Sequence, residues 1–483
     1  MTSRNGRIPW RGVPLAVLWF AVIALEILCI ARFRIAESDI WFHLRNASQS
    51  LTDRTFLHSD LYTFTSAGAP LLNHEWLAEM PYFAAFQYGG LSGLLAVYLV
   101  LLWAIFGGVY YLALRRGATC ADGALVTMAG VALGCYSFGP RMLHFGWLCL
   151  VVVLIVLERF ERTGAGLWIL PPLFALWINL HGSWTFGLVV IGLFMVSGLL
   201  SGRWGSVESV RWSPLQLRKL LVTVCACGIA LLINPYGYKL AWYPFDLLFH
   251  QQANITNVTE WQSVDFHTAW GKMALLTIFS VLAAVLFTKK PWKLVEIALI
   301  CFALVTSLTH VRFLMFAAII LVPIVASRLQ LFSGHDTKPD RPFLSVSVVA
   351  AIIAALFWIY PSRAELEDDV DTQFPRAALR FMQREHISGR LFHYYDFGGF
   401  IEWNAPERKT FADGRTDIFV YNGVFDDYLK IARIKMPLEL LDKYKIDLIL
   451  FPLDHQLCYL LEHSPGWRTI YRDNVVKLYE RVR

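Results

Sequence analysis

Eleven long apolar runs punctuate this chain, at 13–33, 91–114, 118–138, 143–158, 166–180, 184–201, 219–234, 270–288, 294–310, 313–330 and 343–361. Within each run the apolar residues continue around the whole helical circumference instead of marking one face, the pattern of a helix buried in lipid or in other helices. A helix needs about 20 apolar residues to cross a bilayer; the shorter runs depend on their neighbours to do so. Beyond residue 361 the pattern changes. An amphipathic helix fits 374–385, short strands fit 390–393 and 409–412, and helices fit 421–432 and 438–444. The run IDLILF at 446–451 reads as a central strand, and strands at 468–472 and 475–479 form a hairpin around Asp473-Asn474. The expected fold is a polytopic α-helical membrane protein of about 11 spans (residues 1–361), followed by an α/β domain with a mostly parallel sheet (362–483).

Composition sharpens that division. The chain is 56% hydrophobic and only 17% charged, where a soluble domain carries about a quarter charged residues. The segment 362–483 holds 20 of the 37 acids, so the apolar excess belongs to the first region. A net charge of +6 gives no reason to expect nucleic acid, and in such a chain surplus Lys and Arg set topology. Seven of the eight cysteines fall in apolar runs and only Cys458 lies beyond them, which excludes a disulfide within the tail. The first apolar run lacks a small-residue cleavage site and is expected to remain as a span.

The basic residues alternate sides. Arg4, Arg7 and Arg11 precede the first run; Arg115 and Arg116 follow the second; Arg159 and Arg162 follow the fourth. Arg203, Arg211, Arg218 and Lys219 follow the sixth, Lys289, Lys290 and Lys293 the eighth, and Arg328, Lys338 and Arg341 the tenth. These loops are expected to be cytoplasmic, with the N-terminus inside and the C-terminal domain outside; Arg32 and Arg34 are outvoted. Two long loops, 35–90 and 235–269, then face outward and hold nine of the 17 acids that precede residue 362.

Four groups of residues carry candidate chemistry. The motif ESDIWFHLRNA, at 37–47, sets Asp39 and His43 four apart on one helical face, with Glu37 beside them. An acid at a membrane boundary is costly and marks a functional candidate, although an acid there also simply ends a span in water. The motif NHEWLAE, at 73–79, offers His74 and Glu75 as base, metal ligand or hydroxyl acceptor, or else an interfacial helix anchored by Trp76. Arg141, His181, Asn234, His310 and Arg312 sit at outer span ends. Two arginines meeting in one pocket would suit a phosphate, while a structural pair with an outer acid accounts for each one singly. Finally, YYDFGGFIEW and KTFADGRTD bring Asp396, Asp413, Arg415 and Asp417 to loops at strand ends, where α/β folds bind ligands; Asp-Gly is also ordinary turn chemistry.

A first span, an outer loop opening on an acidic motif, many further spans and an outer α/β domain together resemble the GT-C glycosyltransferases, membrane enzymes that use polyprenyl-phosphate or polyprenyl-diphosphate sugar carriers. Asp39 in ESDIWFHLR matches the placement of that family's first-loop aspartate, catalytic or metal-binding. YYDFGGFIEW with TFADGRTD resembles the WWDYG region of oligosaccharyltransferase catalytic subunits, with Tyr394, Tyr395 and Phe397 in place of its aromatic residues. The short outer segment around Arg141 has no acid and so no second-loop DxD. The resemblance implies inverting transfer to a glycan, lipid or protein acceptor at the outer face of the membrane, and the absence of targeting signals and of paired cysteines fits a bacterial inner or plasma membrane. Asp39 would be the base, and Glu37, Glu75 and Glu260 the further carboxylates. Arg312 and Arg141 would hold the lipid phosphate, with His43, His74, His181, His310, Asp396, Asp413 and Arg415 around the substrates. A divalent cation, Mg or Mn, would sit on Asp39 and Glu260 if one is used. Two other classes stay open: a lipid-linked-glycan transporter or flippase, disfavoured by the absence of an internal repeat, and a non-catalytic scaffold of an envelope polysaccharide complex.

Overall fold

The computed structural model describes residues 13–329 and 342–482, so Arg4, Arg7, Arg11, Lys338 and Arg341 lie outside the described residues. Each of the eleven apolar runs contains a helix. Four helices are long and apolar enough to cross a membrane: Trp76–Arg115, Cys120–Ser137, Leu143–Thr163 and Ala269–Phe287. Ser345–Ile359 with Arg363–Asp371 forms a bent pair that would make a fifth, and five further apolar helices are 10–17 residues long. Length and composition alone therefore support four or five spans, where the sequence pattern counted eleven.

The centre of the bundle is Leu314–Ala326, every residue of which is buried. Its apolar character is unbroken because it meets protein on all sides. Cys120–Gly134 lies closest to it, and Gly130 permits that approach: a Cβ there would stand 2.5 Å from Val322. The helix Trp76–Arg115 is two helices joined at Gly90, whose φ of +57° is left-handed; glycine takes that conformation without steric cost. The break sets residues 76–89 apart from the apolar stretch 91–115.

The long loop 35–90 is built on the helix Asp39–Asp53, whose apolar side is buried through Ile40, Trp41 and Leu44. Trp41 packs edge-on to Phe400 and Phe374, joining this loop to the C-terminal region in one core.

The C-terminal sheet has four strands in the order Leu391–His393, Leu448–Pro452, Val476–Arg481, Trp467–Arg472. Only the first pair is parallel; the other two pairings are antiparallel. The mostly parallel sheet expected from the helix-strand alternation is thus corrected to a mixed one, because the terminal hairpin occupies half of it. The strand expected at 409–412 is not a sheet strand either. It bridges Thr63 through Thr410, with Phe64 N–H donating to Thr410 O at 3.0 Å and Thr410 N–H to Tyr62 O at 3.1 Å. Its backbone partners come from the 35–90 loop, which draws that loop onto the C-terminal region.

Candidate active site

Between the bundle ends, the long loops 35–90 and 235–269 and the C-terminal region lies a cavity of about 970 Å³. Close packing of glycines forms one wall. Added at Gly399, a Cβ would lie 2.8 Å from Phe42 N, and at Gly414, 2.4 Å from Asp39 Oδ1. Both tail motifs therefore lie directly on the N-terminus of Asp39–Asp53. Asp39 occupies the first position of that helix, where the helix dipole favours a carboxylate.

Two electrostatic clusters face the cavity. In the first, Arg141 gathers three carboxylates. Its Nη1 and Nη2 donate to Glu260 at 2.5 and 3.1 Å, Nε stands 3.7 Å from Glu37, and Nη2 stands 3.8 Å from Asp39. Burial raises the carboxyls of Glu37 and Asp39 against the attraction of Arg141, Glu37 to about 7. Burial also raises Glu260, but Arg141 outweighs it and holds that carboxyl at about 2. Asp396 opens onto the same space, raised to about 6 by burial and then by the charge of Asp39.

Arg312 completes this end of the cavity. Its guanidinium stacks 4.3 Å over the Trp261 ring, it makes no ion pair among the described residues, and its Nε is buried without a hydrogen-bond partner. A half-buried cation with a buried donor unspent is suited to an anion. Beside it, His310 Nδ1 is 2.7 Å from Trp261 O, so that nitrogen donates.

In the second cluster, three histidines surround Glu75: His181 Nε2 at 3.3 Å, His43 Nε2 at 3.5 Å and His74 Nε2 at 3.8 Å. Burial pushes Glu75 up, but His74, His43, His181 and Arg141 together bring it down to about 2. Ser183 N–H donates to His181 Nδ1, which places the proton of a neutral ring on Nε2, toward Glu75. Burial keeps that imidazole neutral, with its pKa at about 3. His43 differs: Glu79 lies 2.9 Å from its Nδ1, and the flanking carboxylates overcome burial to raise its pKa.

Twelve of the thirteen expected site residues line this cavity: Glu37, Asp39, His43, His74, Glu75, Arg141, His181, Glu260, His310, Arg312, Asp396 and Arg415. Asp413 does not. It is fully buried beneath the wall, accepting from Arg415 Nε at 2.8 Å and Nη2 at 2.5 Å, while Arg415 Nη2 also donates to Asp60 at 2.8 Å. This triad ties the 35–90 loop to the tail, so Asp413 departs from the substrate contact expected of it, and Arg415 has most of its donors committed. Glu79, Tyr243 and Trp261 were not singled out in the sequence. Glu79 accepts from Asn46 and Asn73 as well as facing His43; its position one helical turn beyond Glu75 was a usable signal. Tyr243 stacks on His74 at 4.6 Å, a pairing with no signature along the chain.

No group of three or more His, Cys, Asp or Glu side chains among the described residues is arranged to hold a metal ion. Asp39 and Glu260, the expected donors, both face Arg141, whose guanidinium stands where a cation would have to be. The donor set does not fit a divalent ion.

No family model matches the chain, and no curated protein matches it. Among solved structures it is similar to the archaeal oligosaccharyltransferase AglB from Archaeoglobus fulgidus, in complex with an inhibitory peptide and a dolichol-phosphate. The identity is 12%, the TM-score 0.55, and the match covers 97% of this chain and 74% of that one. ArnT from Cupriavidus metallidurans, bound to undecaprenyl phosphate, matches at 12% identity and TM-score 0.49 over 96% of this chain and 98% of that one. The likeness to AglB, almost end to end, identifies the architecture: this chain has the GT-C fold.

Proposed function

We propose that the protein is a membrane glycosyltransferase that moves a sugar or oligosaccharide from a polyprenyl-phosphate or polyprenyl-diphosphate carrier to an acceptor on the outer face of the membrane. The observation that carries this reading is the first cluster. With Arg312 beside it, it sets carboxylates of raised pKa and a half-buried guanidinium that makes no ion pair among the described residues around one cavity. Transfer from a phosphate carrier needs both: a base to take the acceptor's proton, and a cation to stabilise the departing phosphate. The shared fold with an oligosaccharyltransferase structure that holds a dolichol-phosphate supports the same reading.

Asp39 takes the acceptor proton. Its carboxyl, raised by burial and seated on a helix N-terminus, lies closer to working pH than a free aspartate. Arg312 receives the phosphate. Phe186, Val189, Phe302 and Phe313 make an apolar wall next to it, suited to the carrier's tail. Arg141 is already committed to Glu260 and Glu37, and its work is to hold those acids and Asp39 in place. Attack from the Asp39 side, opposite the departing phosphate, inverts the anomeric centre.

The test is complementation of a surface-glycan phenotype, with matched expression of wild type, Asp39→Asn and Asp39→Ala. Loss of a general base lowers the rate by about 10²–10⁴-fold, so both variants should insert normally and make no glycan. Full glycan with either variant would remove Asp39 as base and favour a transporter or scaffold.

A further inference from the structure

A second cavity, of about 430 Å³, lies at the other end of the bundle and plays no part in the proposed reaction. The same helices join the two. Leu143–Thr163, Trp184–Ser197 and Leu294–Thr309 each line both the candidate active site and this cavity. The 21 residues of Leu143–Thr163 span about 30 Å, the thickness of a bilayer core.

Its lining is unevenly charged. Arg115, Arg116, Arg162, Lys290, Lys293 and Arg328 face only Glu158, Glu161 and Glu296. The three acids are spoken for: Glu158 by Arg116 at 3.3 Å and by Arg162, Glu161 by Lys293 at 2.7 Å, and Glu296 by Arg328 at 2.5 Å. Arg115 makes no ion pair among the described residues, Lys290 meets no acid and donates only to Ser327 O at 3.1 Å, and Arg116 Nη1, 3.8 Å from Glu296, is buried without a hydrogen bond. The helix Leu294–Thr309 also directs its N-terminus here, adding partial positive charge. Residues that only set topology need to be basic and exposed; they have no reason to converge on a cavity between helices. The remaining wall is apolar, through Leu154, Leu157, Val190, Phe194, Val295 and Leu299, and it extends toward the bundle's interior.

We infer that this cavity binds the phosphate headgroup of an anionic phospholipid, seated on the surplus cations while an acyl chain follows the apolar wall. A basic pocket between helix ends at a membrane surface has the chemistry for such a headgroup. A soluble phosphate shares the charge but has no use for the apolar wall.

The test is native mass spectrometry of the full-length protein in neutral detergent, with phosphatidylglycerol, phosphatidylcholine and inorganic phosphate as separate arms. Wild type should retain phosphatidylglycerol in preference to phosphatidylcholine, and millimolar phosphate should not displace it. Lys290→Gln with Lys293→Gln, both exposed side chains, should keep the fold and weaken retention by about fivefold per charge removed. Arg312→Ala, at the other cavity, should leave retention unchanged. Equal retention of the two lipids, unchanged retention in the double variant, or displacement by phosphate alone would overturn the proposal.

Discussion

Gly414 lies against the Asp39 carboxylate so closely that a Cβ at position 414 would stand 2.4 Å from Oδ1 and 2.7 Å from the Phe42 ring. The backbone at 414 is not left-handed, so alanine meets no conformational penalty there; it meets Asp39. Gly414→Ala is therefore expected to fold and to push the carboxylate aside. A displacement of about 1 Å in a reacting group costs about 100-fold in rate. Turnover with a lipid-linked donor, measured beside the melting temperature, checks this; a large melting shift with unchanged turnover would contradict it.

Arg312 lines the cavity with a buried Nε that has no hydrogen-bond partner, and it makes no ion pair among the described residues. Arg312→Ala should weaken donor binding, since a hydrogen bond to a charged group is worth about 1.5–3 kcal/mol, or roughly 10- to 150-fold. Arg312→Lys keeps the charge but loses the flat stack on Trp261 and should recover only part of it. A titration of the carrier lipid separates the two variants, and wild-type affinity in Arg312→Ala would remove it as the phosphate ligand.

The triad of Asp60, Arg415 and Asp413 is structural. All three are buried, and removing the arginine strands two carboxylates. Arg415→Ala is expected to cost about 3–5 kcal/mol of stability, read as poor insertion or a lower melting temperature. Asp413→Asn should be milder, because Asp60 remains to balance the arginine.

Glu37 gives a pH test of stability. Its carboxyl ionises at about 7 in the folded protein against 4.5 normally, because burial outweighs Arg141. A raised carboxyl pKa means the folded state holds its proton longer, so stability from this group is full below pH 4.5 and declines as pH rises toward 7. Glu37→Gln lacks that decline. Its melting temperature relative to wild type should rise from pH 4.5 to 7 and then level off. The carboxyls of Glu75 and Glu260, held at about 2, act in a separate window: their contribution is complete above 4.5 and is lost as pH falls toward 2. A constant difference between Glu37→Gln and wild type from pH 4 to 8 would refute the assignment.

Much of this molecule could be read along the chain. The apolar runs became helices because backbone groups with no access to water must bond within their own segment. IDLILF became the central strand Leu448–Pro452, and the terminal hairpin formed around Asp473-Asn474, because both signals are local. Asp39 and His43 share a helix face for the same reason. Tertiary structure alone decided the rest. Arg141 separates the two carboxylates expected to be metal donors, and the strand expected at 409–412 pairs with the outer loop instead of the sheet. Asp413 turns inward to a salt bridge with Arg415, away from the cavity that Arg415 lines. Periodicity records which face of an element is apolar. Which charge meets which depends on contacts such as Arg415 with Asp60, or Gly414 with Asp39, between residues hundreds of positions apart. Only the packed chain brings those together.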